Sequence, residues 1–162
     1  MSIDQSEPLT VCQVLQNLPF YAGRLLQIRG KWNGSNLEGE CNVPLQLEDH
    51  RWPSKILLTH PSRLSKSEGD EPVNWELSSS LDDFFIESLR KLKTPIFATI
   101  MGRLDVGSHL TTNSKGQFLV LWGYGHLNYF PARMIIKEIS NIVGSGRRKE
   151  GEEIILGPVL DD

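Results

Sequence analysis

The spacing of hydrophobic and polar residues changes several times along the chain, and each change marks an element. Val11, Val14, Leu15 and Leu18 recur at helical spacing, while Thr10 and Gln13 have the spacing of a capping box. A short amphipathic helix ending before Pro19 is therefore expected. After Gly23 the period drops to two. Leu26, Ile28, Gly30 and Trp32 alternate with Gln27, Arg29 and Lys31, as in a half-buried strand. Asn33-Gly34 predicts a tight hairpin with a short return strand over 37–41, and 55–60 reads as a third strand after an irregular connection over 44–53. Ser, Glu, Asp, Lys and Pro dominate 61–80, which is surface-loop chemistry interrupted by Trp75. Ser80 then caps a helix carrying Leu81, Phe84, Phe85, Leu89 and Leu92 on one face, which Pro95 ends. Ile96, Ala98, Ile100, Gly102 and Leu104 alternate as a fourth strand, followed by a polar loop over 105–116. A strand over 118–122, the glycine-punctuated turn Gly123-Tyr124-Gly125-His126 and a last strand over about 133–143 complete the pattern.

Three strands, a helix and two strands, with the helix between strands three and four, is the order of an OB-fold. The expected fold is mainly β (α+β): an OB-fold-like Greek-key barrel of five to six strands, with a short N-terminal helix and one helix between strands 3 and 4. Another small α+β barrel or sandwich is the alternative, because order alone does not give pairing. Gly30 and Gly102 occupy equivalent places in an Ile-x-Gly-basic-apolar signature shared by the first and fourth strands. A glycine inside a strand marks a bulge or bend, and small barrels need such corners. The domain is expected over 9–143, with 1–8 and 144–162 as flexible tails. The apolar stretch over 154–160 has docking as an added strand for its alternative.

The Val-Cys-x-x-Leu helix, the Ile-x-Gly strand leading to a Gly-x-Cys segment, and the closing GYGHLNYFPARMII together resemble a group of uncharacterised OB-like bacterial domains. The resemblance covers roughly Val11 to Val143 and implies a barrel closed by a glycine turn, a proline and a final apolar strand. Members of that group are often exported, which implies a Cys12–Cys41 bridge. It implies no activity.

Composition narrows the function classes. At 162 residues the chain fits one domain, and no run approaches the ~20 apolar residues of a membrane helix. A formal net charge of −3 disfavours a general binder of phosphate backbones, which needs a basic stripe. The first fifteen residues lack a charged stretch followed by an apolar one. As written this predicts a cytoplasmic protein, or an exported one if the natural N-terminus was truncated. Cys12 and Cys41 are too few for a disulfide scaffold and fit no zinc spacing; two buried thiols or one bridge remain open from the residues alone.

The chemistry-bearing residues form no catalytic set. Gly123-Tyr124-Gly125-His126-Leu127-Asn128 nearly spells a dinucleotide fingerprint, but Asn128 replaces its third glycine and Pro131 stands where a helix would run. His50, His60, His109 and His126 show no metal spacing, Ser145 lacks a nucleophile elbow, and Asp82, Asp83 and Glu87 belong to a helix start. Neither an enzyme nor a cofactor or metal is expected. OB barrels bind through strands two and three and the flanking loops, with aromatics for stacking and basic residues for phosphate. The candidate ligand-binding residues are Trp52, Trp75, Arg51, Lys55, Tyr124 and His126; Trp32 is in phase with the core. The expectation is a non-enzymatic binding or structural module for a protein, saccharide or small ligand, with single-stranded nucleic acid as runner-up and an enzyme third.

Overall fold

A computed structural model describes residues 7–41, 46–47, 50–77, 95–107, 111–112, 114, 118–119, 122–125, 129–144, 147–148 and 152–153. The helix expected after Ser80, His109, His126 and the apolar stretch over 154–160 lie outside these residues. The described chain begins with β1 (Leu9–Thr10) and α1 (Val11–Leu15). Both halves of the capping box form: the Gln13 N–H donates to Thr10 Oγ1 at 3.0 Å, and the Thr10 N–H donates to Gln13 Oε1 at 2.8 Å. A second short helix, α2 (Leu18–Tyr21), follows. The first helix stops before Pro19 as expected, already at Leu15, while α2, which takes in Leu18 and Pro19, was not expected. Pro19 sits in the first turn of α2, where its missing N–H would have no intrahelical partner.

Five strands close the barrel: β2 (Leu25–Trp32), β3 (Asn36–Glu38), β4 (Lys55–Thr59), β5 (Ile96–Val106) and β6 (Ala132–Gly144). Their order around the barrel is β2-β3-β4-β6-β5 and back to β2. Only β4 and β6 run parallel within this ring. The fold is mainly β and OB-like, as the element order predicts. β1 adds a sixth strand, parallel to β2, with Leu9 opposite Ile28. Asn33 shapes the β2–β3 hairpin: its Oδ1 accepts from the N–H groups of Ser35 at 2.9 Å and Asn36 at 3.0 Å, while Gly34 takes φ +96°.

The alternation read from the sequence is the inside–outside alternation of the barrel wall. Leu26, Ile28, Leu37, Ile56, Ile100, Leu104, Met134 and Ile139 are buried in one core with Val14, Leu15 and Leu18 of the helices. β6 bends around the barrel through register shifts between Ile136 and Glu138 and between Ser140 and Val143; Asn141 has φ +50° within the second. Gly102 lies opposite Ile136, at the first shift. The corner assigned to it from sequence is there.

Three two-residue antiparallel ladders lie outside the ring: Gln46–Leu47 with His50–Arg51, Thr111–Thr112 with Phe118–Leu119, and Arg147–Arg148 with Glu152–Glu153. The strand expected over 118–122 is corrected accordingly: its described residues Phe118–Leu119 pair with the preceding loop and not with a barrel strand. Cys12 and Cys41 are joined by a disulfide, with Cα atoms 5.9 Å apart, an ordinary span for the bond. It ties α1 to the chain leaving β3. Among the described residues no helix is long and apolar enough to cross a membrane.

Candidate functional site

Residues 61–77 form a strap laid against the outer faces of β5 and β6. Two 3-10 turns, Pro61–Arg63 and Lys66–Glu68, shape it, and Gly69 at φ +84° closes the second. Asp70 then folds back. Its Oδ2 accepts from the Ser65 N–H at 2.9 Å, and its Oδ1 accepts from Arg133 Nη2, also at 2.9 Å. Arg133 pairs in addition with Asp105 Oδ2 at 3.1 Å, and Asp105 is held by Arg103, with Nε 2.8 Å from Oδ1. Arg103 donates onward to the Glu71 carbonyl at 3.0 Å. A chain of alternating charges thus runs from the strap across both strands, with its ionic side chains largely sheltered. Trp75 supplies a separate tie, its Nε1–H donating to the Ile136 carbonyl at 2.9 Å.

These contacts move the ionisations in directions their geometry explains. The Ser65 N–H holds the Asp70 carboxyl below its ordinary value; burial opposes this, and the Arg133 hydrogen bond and charge reinforce it. Burial works against the Arg133 charge, but the hydrogen bond to Asp70 and the charge of Asp105 outweigh it and raise its pKa. Tyr124 is raised by burial first and then by the Asp105 carboxylate. Since Asp70 is depressed in the fold, the stability it contributes is present above the ordinary carboxylate value of 3.8 and is lost as pH falls through the folded value. Asp70→Asn is therefore expected to lower stability at neutral pH by roughly 1–2 kcal/mol and to flatten the melting-temperature profile as pH falls below about 4. Parallel profiles for the two proteins would show that the carboxylate does not hold the strap.

An open groove of about 460 Å³ lies within the strap, lined by Pro61, Leu64, Val73, Trp75 and Leu77 together with His60, Ser62, Lys66, Asp70, Pro72 and Glu76. The residues singled out from sequence are distributed unevenly around it. Trp75 lines it, as half-buried wall and anchor at once. Tyr124 lies against the middle of the charge chain, with its ring 4.5 Å from the Arg133 guanidinium and its hydroxyl donating to the Val106 carbonyl at 3.0 Å. It also pairs with Phe130 through two backbone hydrogen bonds, beside Gly125 at φ +81°. Lys55 stands apart on β4, 3.6 Å from Glu38. Trp52 is 6% exposed and packs in the barrel core, as does Trp32. Arg51 is placed by its backbone alone, in the ladder with Gln46.

Sequence reasoning missed two surface aromatics beside the Tyr124–Phe130 pair: Trp122 is 54% exposed and Tyr129 48%. The apolar neighbours of Trp122 favoured a buried strand end, so no signal in the pattern marked it as exposed. A second groove, of about 600 Å³, lies where β1 and the start of α1 approach β2 and β3; it is lined by Arg29, Lys31 and Phe97 with Glu7, Glu38 and Glu40. Its cations are already engaged. Arg29 Nη1 donates to Thr99 Oγ1 at 3.0 Å and to the Asn141 carbonyl at 2.9 Å, and Lys31 lies 3.9 Å from Glu38. Among the described residues no group of three His, Cys, Asp or Glu side chains gathers to hold a metal ion.

No family model, no curated protein and no solved structure matches this chain.

Proposed function

We propose that this protein is a non-enzymatic binding module built on an OB-like barrel, and that its ligand, a protein segment, a saccharide or a small molecule, occupies the groove within the 61–77 strap. The observation that carries this reading is that the groove is pre-formed. Its wall is fixed by the Asp70–Arg133 pair and by the Trp75–Ile136 hydrogen bond, so a ligand need not order the loop it meets. Its volume and its mixed lining suit a small ligand. Among the described residues a catalytic reading has one Ser–His pair to use, Ser62 Oγ 2.7 Å from His60 Nδ1. The same ring nitrogen accepts the Ser62 N–H at 3.1 Å, which is the geometry of a local turn cap.

Single-stranded nucleic acid is the second reading, and exposed Trp122 and Tyr129 give it its support. Against it, Arg103 and Arg133 are committed to carboxylates and Arg29 to neutral acceptors, so phosphates would have to displace existing partners. Tryptophan fluorescence titrated with a mixed-sequence single-stranded oligonucleotide separates the two readings. No saturable change is expected at low or physiological salt. A change at low salt that disappears with added salt would transfer the function to nucleic acid, because released counterions make such binding salt-dependent. The Cys12–Cys41 bond supports residence in an oxidising compartment.

A further inference from the structure

The groove within the strap combines one aromatic residue, Trp75, with polar groups of both kinds, and that combination narrows its ligand. Trp75 has already used its only hydrogen-bond donor, Nε1–H, on the Ile136 carbonyl. What it offers a ligand is therefore its ring. Lys137 Nζ lies over that ring, 5.5 Å from its centroid, and Lys137 is not among the groove-lining residues, whereas Trp75 is. His60 supplies a directed donor. Its Nδ1 accepts the Ser62 N–H, so the neutral ring carries its proton on Nε2. Glu76 and Asp70 add acceptors, Lys66 adds a cation, and Asp70 is already neutralised by Arg133.

Two simple ligand classes meet an obstacle here. A phosphate-bearing ligand would find Lys66 offset by Glu76 and no arginine in the lining. A purely apolar ligand would strip water from His60 Nε2 and Glu76 without returning hydrogen bonds. A neutral polyol has C–H faces to lay on an indole and hydroxyls that both donate and accept. We propose that the groove binds a short neutral saccharide, stacked on Trp75 and hydrogen-bonded to His60 Nε2 and Glu76. This rests on the binding-module reading and names the chemistry of that same site.

The test titrates the full chain with cellohexaose, maltohexaose and chitohexaose in turn, reading tryptophan fluorescence and heat. Wild type is compared with Trp75→Ala, Glu76→Ala and Trp122→Ala. One glycan is expected to saturate wild type and Trp122→Ala alike, and to bind roughly tenfold more weakly after loss of the Trp75 stacking face. Trp75→Ala also removes a tie of the strap, so Glu76→Ala, an exposed site outside the core, carries the inference should the first variant be unstable; weakened glycan binding is expected there too. Binding lost in Trp122→Ala and kept in Trp75→Ala and Glu76→Ala would overturn the groove assignment while leaving a binding module. Heat from an oligonucleotide or a peptide pool with none from the glycans would overturn the saccharide class alone. No heat from any probe would overturn both.

Discussion

Replacing Cys12 and Cys41 together by serine is expected to cost about 3–4 kcal/mol of stability. The bond closes a loop with a sequence separation of 29, and loop-closure entropy for that length gives an estimate in this range. The position adds to the effect. Cys12 lies on α1, whose Val11, Val14 and Leu15 are buried, and Cys41 follows Gly39, where an added Cβ would stand 3.0 Å from both Cys12 Sγ and Val11 Cβ. Loss of the bond leaves this close approach to packing alone. Denaturant unfolding of the double variant against wild type measures the difference, and wild type treated with reductant should fall to the same midpoint. A double variant as stable as wild type would mean that α1 needs no covalent tie. Because the two Cα atoms are already at bonding distance, the wild-type thiols should resist alkylation until reductant is added.

That bridge shows where sequence reading stops. Two cysteines 29 positions apart can be thiols or a disulfide, and only the path of the chain through β2 and β3 decides between them. Elements with strong local signals were legible for the converse reason. The capping box at Thr10 and Gln13 depends on residues three apart, and the alternation from Leu26 to Trp32 is a direct record of one strand facing a core. The OB-like barrel class followed from element order, but the strand order around the ring did not. The parallel β4–β6 pairing that closes the ring joins Leu57 to Arg133 and so lay beyond any local pattern.

The candidate site was legible only in part. Trp75 stood out because a lone tryptophan in a polar stretch needs a reason, and the structure gives it a carbonyl partner 61 residues away. Trp52 carried the same signal and took the other outcome, burial in the core. Nothing near either residue distinguishes them, since Arg51-Trp52-Pro53 and Asn74-Trp75-Glu76 are both flanked by polar or turn-forming residues. The charge chain was illegible for a sharper reason. Arg103 and Asp105 are two apart, as alternate residues on one strand face are, but Arg133 and Asp70 are separated by 63 positions and meet only because the strap crosses β6. Ordinary surface charges, read one at a time, do not announce a network.

The largest single-residue effect is expected at Gly102, where alanine should destabilise the barrel by about 3 kcal/mol or more. A Cβ there would collide with the Ile135 carbonyl and stand 2.9 Å from Met134 Cγ. The first obstacle is backbone in the longest ladder of the sheet, next to the register shift that bends β6, so it cannot swing aside without breaking the β5–β6 pairing. Gly30 is the internal control. A Cβ at Gly30 would meet Val11 Cγ2 at 2.7 Å and the Glu38 carbonyl at 3.1 Å, mostly a side-chain conflict that a small shift of α1 relieves, and about 1–2 kcal/mol is expected. Gly23 tests conformation without packing, because it has φ +77° and nothing within 4 Å of an added Cβ; alanine there should cost about 1 kcal/mol. Chemical denaturation of the three alanine variants should therefore rank Gly102 well above Gly30, with Gly23 last. If Gly102→Ala unfolds no more easily than Gly23→Ala, the β5–β6 corner has room that this geometry denies, and the glycine echo between β2 and β5 does not mark where the barrel turns.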